Sequence, residues 1–305
     1  MKVKDGIIGL LIGDALGVPV EFEYREDLEK NPVTKMEGYG TYKLLPPGTW
    51  SDDTSMTLAT MASIVDKKAI DYDGIMENIC KWYNREIYWQ TPCFDIGITT
   101  RNALENYLGG IPALECGLDG VHDNGNGSLM RILPLAYIPD IDYKTIENVS
   151  ALTHAHKRSK IACVLYVEIA RSMIENEDLS IDEHIKLACD KIKKYYKDSE
   201  ELKEFKRIFE DDLNDVDTIS SKGYVIYTFE SVAYCLKNTD NYKDAVLKAV
   251  NLGEDTDTTA AICGGLAGIY YGYDAIPIDW IDTVEQIDKV LSLCEKYEEF
   301  CDESQ

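Results

Sequence analysis

Two short stretches set carboxylates and hydroxyls side by side at helix starts, and they decide what chemistry this chain is equipped for. The first, Gly253-Glu254-Asp255-Thr256-Asp257-Thr258-Thr259, opens onto the small-residue run Ala260 to Gly268. Two carboxylates about 4 Å apart repel by roughly 4 kcal/mol at an effective dielectric near 20. A helix N-terminus offsets only about 0.3–1 kcal/mol of that. A hard cation offsets far more, and alternating carboxylate and hydroxyl oxygens suit Mg²⁺, Ca²⁺ or Mn²⁺ rather than Zn²⁺. The plainer reading is an N-cap beside a solvated acid. A second copy of the same chemistry shifts the balance. Gly48-Thr49-Trp50-Ser51-Asp52-Asp53-Thr54 again places adjacent aspartates before an apolar helix, Met56 to Val65. Two such clusters, about two hundred positions apart, read as the halves of one binuclear metal site.

Other residues are candidates with plainer alternatives. Asp14 lies inside an apolar run and needs a partner if buried. Asp95 is either a functional acid or the N-cap of a helix running to Leu108. The Gly- and Asn-rich loop Val121 to Arg131 can present backbone N–H groups to phosphate at a helix start. It matches neither a dinucleotide-binding nor a P-loop pattern. His154 and His156 lack a nearby third nitrogen or sulfur ligand, so a helix cap and a polar ligand contact are the expected roles. Tyr83, Tyr88 and Trp89 read as core packing rather than a stacking platform.

The elements that must position these residues are helical. Asp5 to Val18 carries Gly6, Gly9, Gly13 and Gly17 on one face, which suits tight packing or room for a ligand. Apolar periodicity predicts further helices over 72–86, 95–108, 145–152, 157–176, 181–196, 200–211, 224–236, 242–251, 257–271 and 284–300. No strand run, repeat or linker is evident. One all-α domain over residues 1–305 is expected, with 176–218 as a solvated helical excursion.

Composition bounds the function. A formal net charge of −24 argues against nucleic acid as a partner. No apolar run approaches the ~20 residues of a membrane span. Nine cysteines without a CxxC pair read as buried thiols of a reducing compartment, and the short charged N-terminus argues against a signal peptide. Cytoplasm is the expected location.

Together the motifs resemble the ADP-ribosylglycohydrolase family, in its order and over almost the whole chain. They are Gly13-Asp14-Ala15-Leu16-Gly17-Val18-Pro19-Val20-Glu21-Phe22, Ser51-Asp52-Asp53-Thr54, Phe94-Asp95-Ile96-Gly97, Gly125-Asn126-Gly127-Ser128-Leu129-Met130-Arg131, Thr153-His154, Gly223-Tyr224-Val225 and Gly253-Glu254-Asp255-Thr256-Asp257-Thr258. The resemblance implies a compact orthogonal bundle of α-helices around a binuclear Mg²⁺ or Mn²⁺ centre. Ser51, Asp52 and Asp53 would ligate from one side, and Asp255, Asp257 and Thr258 from the other. Glu21 matches the position of the catalytic glutamate in serine-type members, and Asp95 the aspartate that arginine-type members use near the scissile bond. Gly125, Asn126, Gly127 and His154 would hold the diphosphate and ribose. The implied reaction is metal-dependent hydrolysis of the bond between ADP-ribose and its acceptor on a protein or small molecule. Asp95-Ile96-Gly97 favours arginine or a related guanidino adduct. The alternatives are a serine adduct, a small ADP-ribosylated metabolite such as ADP-ribosyl-guanidine, or a catalytically silent ADP-ribose-binding module.

Overall fold

The computed structural model describes residues 2–86 and 93–303. Among them there are fourteen α-helices, several short 3-10 turns and no strand. In chain order the α-helices are α1 (Val3–Gly17), α2 (Arg25–Lys30), α3 (Asp52–Lys67), α4 (Tyr72–Tyr83), α5 (Ile98–Leu108), α6 (Tyr143–Ala151) and α7 (Lys157–Glu175). They continue as α8 (Ile181–Tyr195), α9 (Lys206–Phe209), α10 (Val225–Lys237), α11 (Tyr242–Val250), α12 (Thr256–Tyr271), α13 (Ile278–Thr283) and α14 (Ile287–Glu303).

Helices α1 and α12 form the centre. Both are apolar on every side, which suits helices enclosed by others. The glycine face of α1 serves tight packing. A Cβ on Gly13 would collide with the Ala260 carbonyl, and one on Gly17 with the Asp257 backbone. The approach is then locked by polar groups. Thr256 Oγ1 donates to Gly17 O at 2.8 Å, and Tyr242 Oη donates to Gly9 O at 2.7 Å. This contact lays the start of α12 against the end of α1.

Helix α3 is fixed to the same pair by Asp14, the one acid in the apolar run of α1. Asp14 accepts from Ser51 N (2.8 Å), Thr54 N (3.0 Å) and Thr54 Oγ1 (2.6 Å), so its partners are the first turn of α3. Ser51 is the N-cap of α3 and its side chain accepts from Asp53 N.

Several boundaries differ from the periodic pattern. Helix α4 stops at Tyr83 rather than reaching Glu86, because Arg85 adopts a left-handed backbone (φ 63°). Helix α5 starts at Ile98, with extended Gly97 as its N-cap, so Asp95 does not cap it. The single helix expected over 200–211 is a 3-10 segment, Glu200–Phe205, followed by the one-turn α9. In the charged stretch 176–218, Ile181, Ile185, Cys189, Ile192, Phe205 and Ile208 enter the common core, while most acids are exposed and Glu201 and Glu204 pair with Arg158. Tyr83 packs against that core; Tyr88 and Trp89 lie outside the described residues. All nine cysteines are free, eight of them buried. Among the described residues no helix is long and apolar enough to cross a membrane.

Candidate active site

The starts of α3 and α12 converge at the end of α1 and the turn that follows it. Ser51, Asp53, Asp257 and Thr258 are buried together. Ser51 Oγ donates to Asp53 Oδ2 at 2.9 Å, and Thr258 Oγ1 donates to the same oxygen at 3.3 Å across 205 positions of sequence. The two clusters are therefore one site. Asp14, Asp53 and Asp257 bring carboxylate oxygens within 4.8 Å of one another, and so do Glu21, Asp95 and Asp257.

These carboxylates are not equivalent. Both oxygens of Asp14 are engaged by α3. Asp53 Oδ1 and Asp257 Oδ2 are buried and have no hydrogen-bond partner among the described residues. Such atoms are expensive to bury and call for an explanation. Burial, followed by repulsion from neighbouring acids, drives the carboxyls of Asp52, Asp53 and Asp257 well above the ordinary range. Burial raises Asp255 even though Asn126 donates to it, and lifts Asp14 to about 6. Unaided, the cluster holds protons that a divalent cation would displace. The donor set is all oxygen, and two buried oxygens are unsatisfied, which fits Mg²⁺ or Mn²⁺.

Next to this cluster lies a structure the sequence did not signal. Tyr42 Oη is 2.7 Å from Glu21 Oε2 and 3.0 Å from Asp95 Oδ1, bridging the two acids. Loop hydrogen bonds hold it there: Thr41 N donates to Pro19 O, and Thr41 Oγ1 to Glu21 O. One phenol proton cannot serve two carboxylates, so a second proton belongs to the group. Burial and the nearby Asp95 lift Glu21 to about 10, which places that proton on Glu21. The same burial raises the Tyr42 phenol far above its ordinary value.

Backbone strain gathers here as well. Phe22, Asp95 and Glu254 adopt left-handed conformations (φ 69°, 62° and 61°), which are uncommon for side chains of this size. Phe22 N donates to Glu254 O and Glu254 N to Glu23 O, both at 2.7 Å, clamping the Glu21 turn to the Asp255 turn. Arg25 secures the clamp through Leu252 O, Val216 O and Ile219 O. Asp255 stands at the N-cap of α12 but makes no cap bond; its Oδ2 instead accepts from Asn126 Nδ2 at 2.7 Å. Asn126 Nδ2 also donates to Thr228 Oγ1.

The cluster forms one side of a cleft of about 820 Å³. Joined to the cluster by the Asn126–Asp255 hydrogen bond, the Gly125–Gly127 loop is held by backbone hydrogen bonds, Asn126 N to Gly223 O and Val225 N to Asn124 O. His154 is placed by a similar bridge to Leu118. Its ring edge faces the loop so closely that a Cβ on Gly127 would lie 2.8 Å from His154 Cε1. His156 is turned away as the N-cap of α7, accepting from Arg158 N. Glu21, Asp95, Asp52, Asp255, Thr258, Gly125, Asn126, Gly127 and His154 all line the one cleft, which is large enough for a nucleotide-sized ligand.

Comparison with known proteins supplies the family. The ADP-ribosylglycohydrolase family model matches residues 1–305. The ADP-ribosylarginine hydrolase Tri1 of Serratia proteamaculans is 34% identical over 302 residues, covering 97% of this chain and 78% of that protein. The ADP-ribosyl-[dinitrogen reductase] glycohydrolase of Rhodospirillum rubrum is 28% identical over 308 residues and 96% of each chain. A solved structure described as an ADP-ribosylglycohydrolase-related protein complex superposes with a TM-score of 0.81 at 26% identity, over 98% of both chains.

Proposed function

The chain belongs to the ADP-ribosylglycohydrolase family, and we propose that it hydrolyses the bond between ADP-ribose and an arginine or related guanidino acceptor, with two divalent cations bound. The observation that carries the metal dependence is the pair of unsatisfied buried oxygens, Asp53 Oδ1 and Asp257 Oδ2, inside a ring of raised carboxyls. Ser51, Asp52, Asp53, Asp255, Asp257 and Thr258 would hold Mg²⁺ or Mn²⁺. Bound there, the cations would supply positive charge to orient the ribose hydroxyls and acidify a water.

The protein's own groups divide the remaining work. Asp95, half-buried at the cleft wall, takes a proton from the attacking water as its oxygen bonds to C1 of the ribose. Glu21, which holds a proton, delivers it to the departing guanidino nitrogen as the C1–N bond breaks. The transition state is oxocarbenium-like, and the surrounding carboxylates favour its positive charge. Tyr42 then returns a proton from Asp95 to Glu21 along its two hydrogen bonds. Gly125, Asn126, Gly127 and His154 bind the diphosphate and ribose.

An arginine-type acceptor is favoured by charge. Asp95, Asp123 and Glu254 line the cleft and complement a guanidinium rather than a serine hydroxyl, against two lining cations, Arg101 and Lys222. The likeness to the Serratia ADP-ribosylarginine hydrolase points the same way. The test is release of free ADP-ribose from ADP-ribosyl-arginine and ADP-ribosyl-serine, each with Mn²⁺, Mg²⁺ or chelator. Metal-dependent release favouring the arginine adduct is expected; preference for serine would overturn the acceptor, and release under chelator the metal dependence.

A further inference from the structure

Beneath the glycine loop lies a buried cation that the chemistry above does not use. Arg131 is fully buried, and its Nε and Nη1 have no hydrogen-bond partner among the described residues. Its Nη2 donates to Val149 O at 3.0 Å and to Thr153 Oγ1 at 2.9 Å. On its other side Thr153 Oγ1 lies 2.9 Å from His154 Nδ1. Direction along this chain follows from what each group is able to give. A guanidinium only donates, so Thr153 accepts from it. Thr153 Oγ1 has a second lone pair, but the residue is fully buried and its hydroxyl proton has no other acceptor than His154 Nδ1 among the described residues, so satisfying that proton makes Nδ1 the acceptor. A neutral imidazole with an accepting Nδ1 carries its proton on Nε2. The Nε2 edge is the one that faces Gly125 and Gly127, where added Cβ atoms would lie 3.5 and 3.4 Å from that nitrogen.

We propose that Arg131 and Thr153 are positioning residues that lock His154 into the Nε2–H tautomer, making it an obligatory hydrogen-bond donor to a phosphate oxygen in the cleft. The assignment of the ligand rests on the reading of this cleft as an ADP-ribose site; the tautomer does not. Burial and the charge of Arg131 push the His154 pKa down to about 3, so the ring stays neutral and carries one proton only. The arrangement orients the ring by a chain of hydrogen bonds that begins at a buried positive charge. Arg131 and Thr153 are 22 positions apart, and neither is itself among the residues lining the cleft.

The test is nitrogen-15 NMR of the histidine side chains, in which protonated and bare ring nitrogens are well separated. The chain has four histidines, and His154→Gln assigns the signal. The expected result is an Nε2–H tautomer in the free wild-type protein, unchanged across neutral pH. Thr153→Val should lose the fixed tautomer and weaken ADP-ribose binding about tenfold, the order expected for one hydrogen bond to a charged group. Thr153→Ser should restore both. An Nδ1–H tautomer in wild type would overturn the proposal outright. So would an unchanged Nε2–H signal in Thr153→Val, because the relay would then not set it. ADP-ribose that binds without moving the Nε2 signal would remove the phosphate contact. Failure of ADP-ribose to bind at all, with the tautomer as expected, would count against the cleft's assignment and leave the relay standing.

Discussion

The two sides of the cleft, which meet at the Asn126–Asp255 hydrogen bond, are built on opposite principles. At the α3–α12 side, six candidate ligands crowd together, the carboxyls are raised by burial, and two buried oxygens lack partners. At the Gly125–His154 side, the loop is stitched by paired backbone bonds, and the hydrogen bonds of Thr153 fix the direction of the histidine. The first is electrostatically incomplete, a condition that the proposed cations would relieve. The second is preorganised for an anion. On the proposed function, a diphosphate-ribose ligand would span the contrast, with its reacting carbon toward the acidic side.

The comparison is sharpened most by removing a carboxylate from the incomplete side. Asp257→Ala should lower metal-dependent release of ADP-ribose by on the order of 10²–10³-fold, since it deletes charge stabilisation at the reacting centre. Substituting the glycine-loop side should cost binding rather than turnover. Asp95→Asn keeps the shape but removes the base, and should lower kcat by about 10². Tyr42→Phe leaves both acids in place without their bridge. Its expected effect is a reduction of about tenfold in kcat with an altered pH–rate profile, and a wild-type profile would remove Tyr42 from the proton path.

Legibility in the sequence follows the same division. The ligand candidates are readable because each half sits in a contiguous run, Ser51 to Asp53 and Asp255 to Thr258, whose composition has little use without a cation. The requirement that Asp14 find a partner is readable too, since burial of a lone acid admits few outcomes. Tyr42 is not readable. It lies in a proline-containing loop, and its role depends on Pro19 and Glu21 turning back against it. The left-handed turn at Asp95, which removes it from the helix and aims it into the cleft, likewise depends on tertiary packing. The direction of the Arg131–Thr153–His154 chain needs the distances.

The smallest expected effect is thermal. The folded-state carboxyls of Glu21 (about 10) and Asp14 (about 6) lie above their ordinary values of 4.5 and 3.8. Groups raised in this sense contribute stability that is full below the ordinary value and is lost as pH rises through the folded one. Metal-free protein should therefore be less stable near pH 8 than near pH 5. A fixed Mn²⁺ concentration, about a hundred times the Kd at pH 8 for each of two sites, should raise Tm by roughly 5–10 °C near pH 8 and by less near pH 5, where protons compete for the carboxylates. Equal shifts at both pH values would contradict the raised carboxyls as the source of the strain.

The most direct measurement is Mn²⁺ binding followed by electron paramagnetic resonance at pH 8, on wild type, Asp257→Ala and His154→Gln. The expected result is two bound Mn²⁺ per wild-type chain, loss of at least one in Asp257→Ala, and two retained in His154→Gln. Wild-type binding that survives Asp257→Ala unchanged would contradict the claim that the unsatisfied oxygens mark the cation centre.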